Sequence, residues 1–451
     1  MQTDTAGRPV HSAAFRRRRA LNWLPLGLTY AFLYMARYNL TVSKNALGDL
    51  MSKEAFGIIF AAGTITYAFS FLINGPVTDR IGGKRAMLIG SGGAAVMNLL
   101  LGVLVYGILR LKWDVNLTLA FSVLYALNMY FQSYGAVAIV KVNASWFHVR
   151  ERGVFGGIFG VLISLGLYFA FDWSQAVVNL TERLNPDQPQ YWLVFFIPGA
   201  ILLFWVLVDA ILLRDRPAQA GYADFDTGDA SSGESEAPIP LRDLLVRIFT
   251  HPVIITVGLI EFCTGVLRNG VMHWFPIFAK EQIKAGAAHA GAWDFWLNNW
   301  GLLLMLAGAS GGMLAGWMSD RLFSSRRAPV AGIFYMMLLL AVSGMAFAVW
   351  GHPTTLGLLV TVVSIAVIGT HGMLSGTATM DFGGRRAAGT AVGLIDGLVY
   401  LGTGVQSLAL GYITTRDWQY WPVFLIPFAA IGILLTIRIW HAIPQGRKGA
   451  H

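Results

Sequence analysis

Two arginines stand inside long apolar stretches of the sequence, and their side chains are well suited to bind a ligand. Arg37 and Arg268 lie 231 residues apart. A charge at the centre of a lipid bilayer costs about 2.5–3.5 kcal/mol, so such residues usually mark a substrate path. The planar guanidinium group matches the oxygens of a phosphate or a carboxylate. The pair therefore predicts a clamp for a small dianion; alternatively, each arginine is structural and is held by a buried carboxylate.

Four polar residues are candidates for the same ligand site. Tyr30 and Tyr34 precede Arg37 by seven and three residues, so the three side chains share one helix face. The tyrosine hydroxyls are suited to orient an anion; alternatively, the rings only pack against a neighbouring helix. Gln132 is a candidate polar contact. Lys141, nine residues later, is a candidate relay at the inner mouth, unless its ammonium group extends to the lipid headgroups.

Two acidic residues also lie in apolar stretches. Glu261 precedes Arg268 by seven residues, so both lie on one helix face, about 10 Å apart. Asp396 lies in a later stretch. Buried carboxylates are costly unless they are paired or protonated. Each acid is therefore a candidate counter-ion, proton carrier or contact for a cationic group of the substrate, and a purely structural ion pair is the remaining alternative.

The elements that hold these residues are predicted to be membrane-spanning helices. Of 451 residues, 55% are hydrophobic and only 13% are charged, about half the charged fraction of a soluble protein. This composition excludes an ordinary soluble enzyme and a disordered chain, and a single cysteine excludes an intrachain disulfide. A helical span needs about 20 mostly apolar residues. Twelve such runs occur, near 21–43, 55–78, 86–109, 117–142, 153–171, 191–213, 253–279, 293–318, 329–350, 356–380, 387–412 and 420–441.

The basic residues predict how the chain sits in the membrane. The net charge is +9, and most lysines and arginines fall in segments that lie on one side, which places both termini in the cytoplasm of a bacterial inner-membrane protein. The basic excess is thus a topology signal, so we expect the lipid bilayer and a small anion as partners and no nucleic acid. No phosphate-binding loop, dinucleotide fingerprint or metal motif occurs. We therefore expect no cofactor and no enzymatic reaction, and a monomer suffices for this architecture.

The sequence repeats itself once. Segment 191–198, YWLVFFIP, returns at 420–427 as YWPVFLIP, and the pattern Gly-x-x-x-Asp-Arg ending in Asp79 and Arg80 returns ending in Asp320 and Arg321. The repeat predicts two homologous six-helix halves, 1–213 and 251–451, joined by a solvated cytoplasmic linker at 214–250. Two parallel halves around a midplane site are typical of secondary transporters.

These residues resemble the major facilitator superfamily. Segment 75–85, GPVTDRIGGKR, is similar to the superfamily's loop motif between helices two and three. The resemblance implies an all-α membrane fold of twelve transmembrane helices in two pseudo-symmetric halves. It also implies gating roles for Asp79 and Arg80, and for Asp320 and Arg321, as cytoplasmic latches that break when the halves move; the alternative is a basic loop that only sets topology.

A narrower resemblance is to the organophosphate:phosphate antiporter family, which includes glycerol-3-phosphate and hexose-6-phosphate carriers. It rests on segments 30–39, 214–221, 267–274 and 316–320, and on 387–391. The resemblance implies that Arg37 and Arg268 bind the substrate. The chain departs from the family at Phe71, where members carry a lysine, and at Ile163, where glycerol-3-phosphate carriers have a histidine.

The predicted function is secondary active transport of a small organic anion by alternating access, with an organophosphate exchanged for phosphate. One alternative is a proton-coupled symporter of an organic anion or zwitterion that uses Glu261 or Asp396. A second alternative is a transporter-like sensor that binds a phosphorylated ligand and signals to a partner without transporting it.

Overall fold

The computed structural model describes residues 11–148, 152–225, 227, 250, 252–323 and 326–441. These residues are almost entirely helical, and they form no β-strand. The fifteen α-helices are α1 Ala13–Leu47, α2 Lys53–Ile81, α3 Gly83–Arg110, α4 Leu117–Trp146, α5 Arg152–Tyr168, α6 Ser174–Leu184, α7 Leu193–Leu212, α8 Pro252–Met272, α9 Trp274–Lys284, α10 Ala290–Asn298, α11 Trp300–Leu322, α12 Arg327–Ala348, α13 Pro353–His371, α14 Thr379–Arg416 and α15 Tyr420–Arg438.

Some of the predicted spans consist of two helices in series. A π-helical segment, Phe169–Trp173, joins α5 to α6 within one span. A second π-helical segment, Gly372–Ala378, lies between α13 and α14, which are separate spans. Only His273 separates α8 from α9. Within the described residues, ten helical stretches are long and apolar enough to cross a membrane. The long helices α1 and α14 complete the twelve spans that the sequence predicts.

Helix boundaries follow from local sequence. The Ser52 hydroxyl accepts a hydrogen bond from the Ala55 amide at 3.0 Å and so caps the start of α2. Gly82, with φ of 90°, ends the same helix, a backbone conformation that favours glycine. A Cβ atom at Gly82 would lie 2.9 Å from Asp215 Oδ2, and Asp215 Oδ1 accepts from the Lys84 amide at 2.7 Å. The start of α3 is thereby joined to the segment that follows α7.

The two halves, 11–213 and 252–441, pack through matching helices. Helix α2 packs along α14, and α5 packs along α11. At the first contact the backbones approach closely, because a Cβ atom at Gly411 would lie 3.2 Å from the Cα of Gly57. The expected division at 213 and 251 remains a prediction, and residues 228–249 of the expected linker lie outside the described residues.

Ion pairs join the halves at one end of the bundle, which we call the distal end because it lies opposite the chain termini. Lys53 at the start of α2 pairs with Glu281 of α9 at 3.1 Å. Lys284 pairs with Asp49 of the α1–α2 connection, also at 3.1 Å. These residues connect the two halves where the loops of both meet, so the bundle is closed at this end.

A half-buried carboxylate strengthens the same closure. Asp172, in the π-helical segment after α5, accepts hydrogen bonds from the amides of Gly301 at 2.6 Å and Leu302 at 2.9 Å. These amides open α11 in the other half, where the helix leaves its first donors unpaired and its dipole attracts negative charge. We call three contacts between the halves the distal closure: Asp172 with the amides of Gly301 and Leu302, Lys53 with Glu281, and Asp49 with Lys284.

No comparable contact between described residues joins the halves at the end that carries the termini. The hydrogen bonds that connect described residues across the halves all lie at Arg37 or between Arg37 and the distal end, as with Thr41 and His273 at 2.7 Å. The structure therefore shows the state in which the halves meet distally.

Candidate substrate-binding site

Arg37 lies at the centre of the bundle with its guanidinium group fully engaged. The side chain is completely buried. Nε donates to Gln132 Oε1 at 2.8 Å, Nη1 to the Tyr400 hydroxyl at 2.9 Å, and Nη2 to the Tyr67 hydroxyl at 3.2 Å. Gln132 and Tyr67 belong to the same half as Arg37, whereas Tyr400 lies on α14 of the other half. One hydrogen bond of Arg37 therefore crosses between the halves.

Aromatic rings surround the same guanidinium group. Its carbon lies 4.6 Å from the ring centroid of Tyr67 and 4.9 Å from that of Tyr34, within the range of cation–π attraction. Tyr30 packs edge-on against Tyr34 with ring centroids 5.4 Å apart. The predicted face of α1 is thus present: Tyr34 contacts the arginine directly, and Tyr30 contacts it only through Tyr34.

An amide network holds the acceptor of Arg37 in place. Gln132 donates to Asn128 Oδ1 at 3.3 Å, and Asn128 donates to the backbone oxygen of Ala36 at 3.0 Å. The Tyr125 hydroxyl donates to the Arg37 backbone oxygen at 3.1 Å. These contacts tie α4 to α1 around the charge. A buried polar network of this kind fixes the orientation of the groups within it.

Arg268 contrasts with Arg37. It is also buried, but its Nε and Nη2 atoms have no hydrogen-bond partner in the described part of the chain. Tyr34, Tyr38 and Tyr400 lie within electrostatic range of both guanidinium groups. The structure therefore brings the two predicted arginines to one set of tyrosines, with the donors of Arg268 available to a ligand.

The predicted acids belong to the Arg268 side of the site. Glu261 is fully buried; its Oε2 lies 2.8 Å from His371 Nδ1, and its Oε1 has no partner in the described part of the chain. Asp396 accepts a hydrogen bond from the Ser375 hydroxyl. Both carboxylates lie within electrostatic range of Arg268. They are therefore placed to compensate its charge, although neither forms a direct ion pair with it between described atoms.

The candidate gating residues lie at the end that carries the termini. Asp79 pairs with Lys141 at 2.6 Å, and both side chains are largely exposed. Asp320 pairs with Arg327 at 3.5 Å. Arg80 and Arg321 are exposed.

Lys141 is therefore not placed with the arginines. It lies nine residues from Gln132 on α4, which is about 13 Å along the helix. The structure places it instead in the contact between α2 and α4, as the partner of the predicted latch residue Asp79.

Four residues of the site are not predicted from the sequence: Tyr67, Tyr400, His371 and His273. Tyr400 follows Asp396 by four residues, so the two share a helix face. This spacing is the one sequence feature that places Tyr400 near a predicted site residue. His371 and His273 stand at helix ends, where histidine carries no distinctive pattern. Within the described ranges, no group of three His, Cys, Asp or Glu side chains is arranged to hold a metal ion.

Comparison with known proteins gives independent evidence on the family and the fold. The sequence model of the family described as "Major Facilitator Superfamily" matches residues 26–407. The chain is 24% identical to the glycerol-3-phosphate transporter of Bacillus subtilis, over 97% of this chain and 95% of that protein. It is also 24% identical to the membrane sensor protein UhpC of Escherichia coli, over 95% of this chain and 94% of that protein.

A solved structure shows the same fold. The crystal structure of a bacterial homologue of the human lysosomal transporter Spinster, inward-facing and occupied, superposes with a TM-score of 0.70. The alignment covers 96% of this chain and 98% of the other, at 14% sequence identity. The predicted twelve-helix architecture is thereby confirmed.

Proposed function

Because the chain belongs to the Major Facilitator Superfamily, whose members are membrane transporters and not enzymes, we propose that it is a secondary transporter that exchanges a small organophosphate for phosphate. The superfamily supports the coarser statement that this multi-pass membrane protein transports a solute. The choice of an organophosphate rests on the site and on the relative named a glycerol-3-phosphate transporter.

The observation that carries the proposal is the pair of buried guanidinium groups. Arg37 on α1 and Arg268 on α8 come from different halves and share the tyrosines around them. A phosphate group has enough oxygens to accept hydrogen bonds from both forks at once. Binding then draws the halves together, because each arginine moves towards the same anion.

The unequal contacts of the two arginines support an order of events. An anion that enters from the side opposite the distal closure meets the unpartnered donors of Arg268. At Arg37 the anion then replaces the Tyr400 and Tyr67 hydroxyls as acceptors. The Arg37–Tyr400 hydrogen bond between the halves is thereby exchanged for bonds to the substrate, the distal closure is released, and the site opens to the other side.

The test is phosphate exchange in proteoliposomes. We expect uptake of radiolabelled phosphate only when the vesicles contain phosphate, and no dependence on a proton gradient. Arg37→Lys keeps the charge but removes the two-pronged donor, so it should abolish exchange. The control is Arg183→Lys, the same change at an exposed position with no contact to the site. Equal loss in both variants, or full exchange by Arg37→Lys, would contradict the proposed role of the clamp.

A second candidate function is favoured by one of the relatives. The protein named a membrane sensor aligns over nearly the whole chain, so a ligand-sensing role uses the same fold. A sensor would bind phosphate, as measured by stabilisation against thermal unfolding, without any exchange in the proteoliposome assay. Exchange in proteoliposomes therefore supports a transporter, whereas stabilisation by phosphate without exchange supports a sensor.

We also propose residence in the inner membrane with both termini in the cytoplasm, and function as a monomer. The basic residues at the termini and at the α2–α3 connection support this orientation. Reporter fusions at residue 441 that are active only on the cytoplasmic side would test it.

A further inference from the structure

The acids beside Arg268 compensate its charge, and they also offer acceptors that a simple phosphate ester does not use. We propose that the substrate is a zwitterion: its phosphate or phosphonate group binds the arginines, and an ammonium group two or three carbons away binds Glu261 and Asp396. This inference rests on the proposed transport function and names the substrate class of the same site.

Glu261 has the properties expected of an ammonium ligand. It is fully buried and uses only one carboxylate oxygen, for His371, while Oε1 has no protein partner in the described residues. An ionised carboxylate is an acceptor with room for about four hydrogen bonds, and an ammonium group is a donor of three. A buried acceptor left unpaired is costly, so a donor from the substrate is the natural partner for Oε1.

Asp396 adds a second acceptor from another helix. Its only hydrogen bond between described residues comes from Ser375, and it lies within electrostatic range of His371, Glu261 and Arg268. Acceptors on α8 and α14 thus face one region. An ammonium group, with donors in three directions, suits such a divided set better than a planar guanidinium group does.

The charge of the site supports the same substrate class. Two arginines and two carboxylates sum to zero when His371 is neutral. A phosphate ester without an amine would bring about two uncompensated negative charges into this buried site, and its ammonium-bearing counterpart would bring one fewer. Uncompensated charge at this depth is expensive, so the site favours the zwitterion.

The dimensions fit as well. Glu261 and Arg268 are seven residues apart on α8, which is about 10 Å along the helix. A two-carbon chain separates phosphorus from nitrogen by about 5 Å at ordinary bond lengths. A hydrogen bond of about 3 Å from the nitrogen to Glu261 and another from the phosphate to Arg268 extend this length to about 10 Å, the spacing of the two residues along the helix. Phosphorylated or phosphonate amines of two to three carbons are the matching size.

The alternative role for Glu261 is to carry a proton during transport instead of binding an ammonium group. Among the described side chains, the titratable or charged groups within electrostatic range of Glu261 are Arg268 and Cys263 on α8, Tyr335 on α12, His371 at the end of α13 and Asp396 on α14. If Glu261 carries a proton during transport, an ester without an amine binds better as the pH falls. If Glu261 binds an ammonium group, a phosphate ester with an amine binds more tightly than the same ester without one.

The experiment compares two probes that differ only in the amine. Affinities of phosphoethanolamine and monoethyl phosphate are measured for the purified protein by ligand-induced thermal stabilisation at two pH values. We expect phosphoethanolamine to bind at least about tenfold more tightly. Glu261→Gln should bring the ratio of the two affinities close to one, because it removes the acceptor for the ammonium group of phosphoethanolamine and also removes a negative charge that opposes binding of monoethyl phosphate. Asp294→Asn, a carboxylate-to-amide change at an exposed position, should leave the ratio unchanged.

Several results would overturn the inference. In the unmodified protein, equal or tighter binding of monoethyl phosphate refutes the ammonium site without any variant, so a misfolded Glu261→Gln does not weaken the test. Binding of monoethyl phosphate that strengthens at low pH and loses this dependence in Glu261→Gln assigns Glu261 to a proton instead. If inorganic phosphate also fails to stabilise or exchange, the proposed function itself fails; if it succeeds while the amine gives no advantage, only the zwitterion is refuted.

Discussion

The hydrogen bond between Arg37 and Tyr400 predicts how tightly transport is coupled to exchange. Arg37 Nη1 donates to the Tyr400 hydroxyl at 2.9 Å across the two halves. An empty carrier must break this bond to change state, whereas a loaded carrier replaces it with bonds to the substrate. Tyr400→Phe removes the acceptor and keeps the ring, which packs against Tyr67 at a centroid distance of 4.3 Å. We therefore expect the variant to reorient without substrate.

The size of the effect follows from the type of bond. A hydrogen bond to a charged group contributes about 1.5–3 kcal/mol, which corresponds to about tenfold to a hundredfold or slightly more in a rate. The assay loads proteoliposomes with radiolabelled phosphate and follows efflux into buffer with or without phosphate. Efflux into phosphate-free buffer should rise by that factor in Tyr400→Phe, while exchange in the presence of external phosphate changes little.

Tyr67→Phe is the matched control. It removes another acceptor of the same guanidinium group, at 3.2 Å, but Tyr67 lies in the same half as Arg37. Loss of this bond weakens the positioning of Arg37 without releasing a contact between the halves. Equal leaks in the two variants would refute the reasoning, because the leak would then follow from disturbing Arg37 and not from freeing the halves. A leak of less than about twofold in Tyr400→Phe would refute it as well.

Two further predictions concern the ends of the bundle. Asp172→Asn keeps one acceptor for the amides that open α11 but loses the charge that faces the helix dipole, so the distal closure should weaken by about 1 kcal/mol. Distances between spin labels on the distal loops, measured in a Cys263→Ala background, should shift towards the open state. An unchanged distance distribution would contradict this prediction. Lys141→Gln removes an exposed ion pair with Asp79. We therefore expect the free energy of unfolding to fall by less than about 1 kcal/mol and the affinity for phosphate to stay unchanged. A tenfold loss of phosphate affinity would show instead that Lys141 reaches the substrate.

Much of the fold was predictable because the membrane imposes strong rules. Apolar runs of sufficient length must be helices in lipid, and the repeat of the Gly-x-x-x-Asp-Arg pattern indicated two related halves. Run boundaries were less predictable. The sequence predicts that the fifth run ends near residue 171, but the π-helical segment Phe169–Trp173 carries the helix on into α6. Asp172 interrupts the apolar pattern there because its carboxylate serves the other half, and that partner is not visible from local sequence.

The candidate site was predictable to the extent that its residues are unusual in lipid. Arg37, Arg268, Glu261 and Asp396 were identifiable because a charge inside an apolar helix needs a reason. Tyr400 was not, since tyrosines also fill cores and membrane interfaces without any polar role. Its function depends on lying opposite Arg37, and that proximity arises from the packing of α14 along α2.

The unequal state of the two arginines links the site to the movement of the halves. Arg37 has protein acceptors for three of its nitrogens, one of them from the other half, whereas Arg268 keeps unpartnered donors. A ligand that first satisfies Arg268 gains hydrogen bonds without losing any within the protein. Where it then takes the places of the Tyr400 and Tyr67 hydroxyls at Arg37, each new bond replaces an old one, so this second step contributes little affinity. What it does change is the connection between the halves, because the Tyr400 hydroxyl is released. We therefore propose that binding and reorientation depend on different arginines of the same anion site.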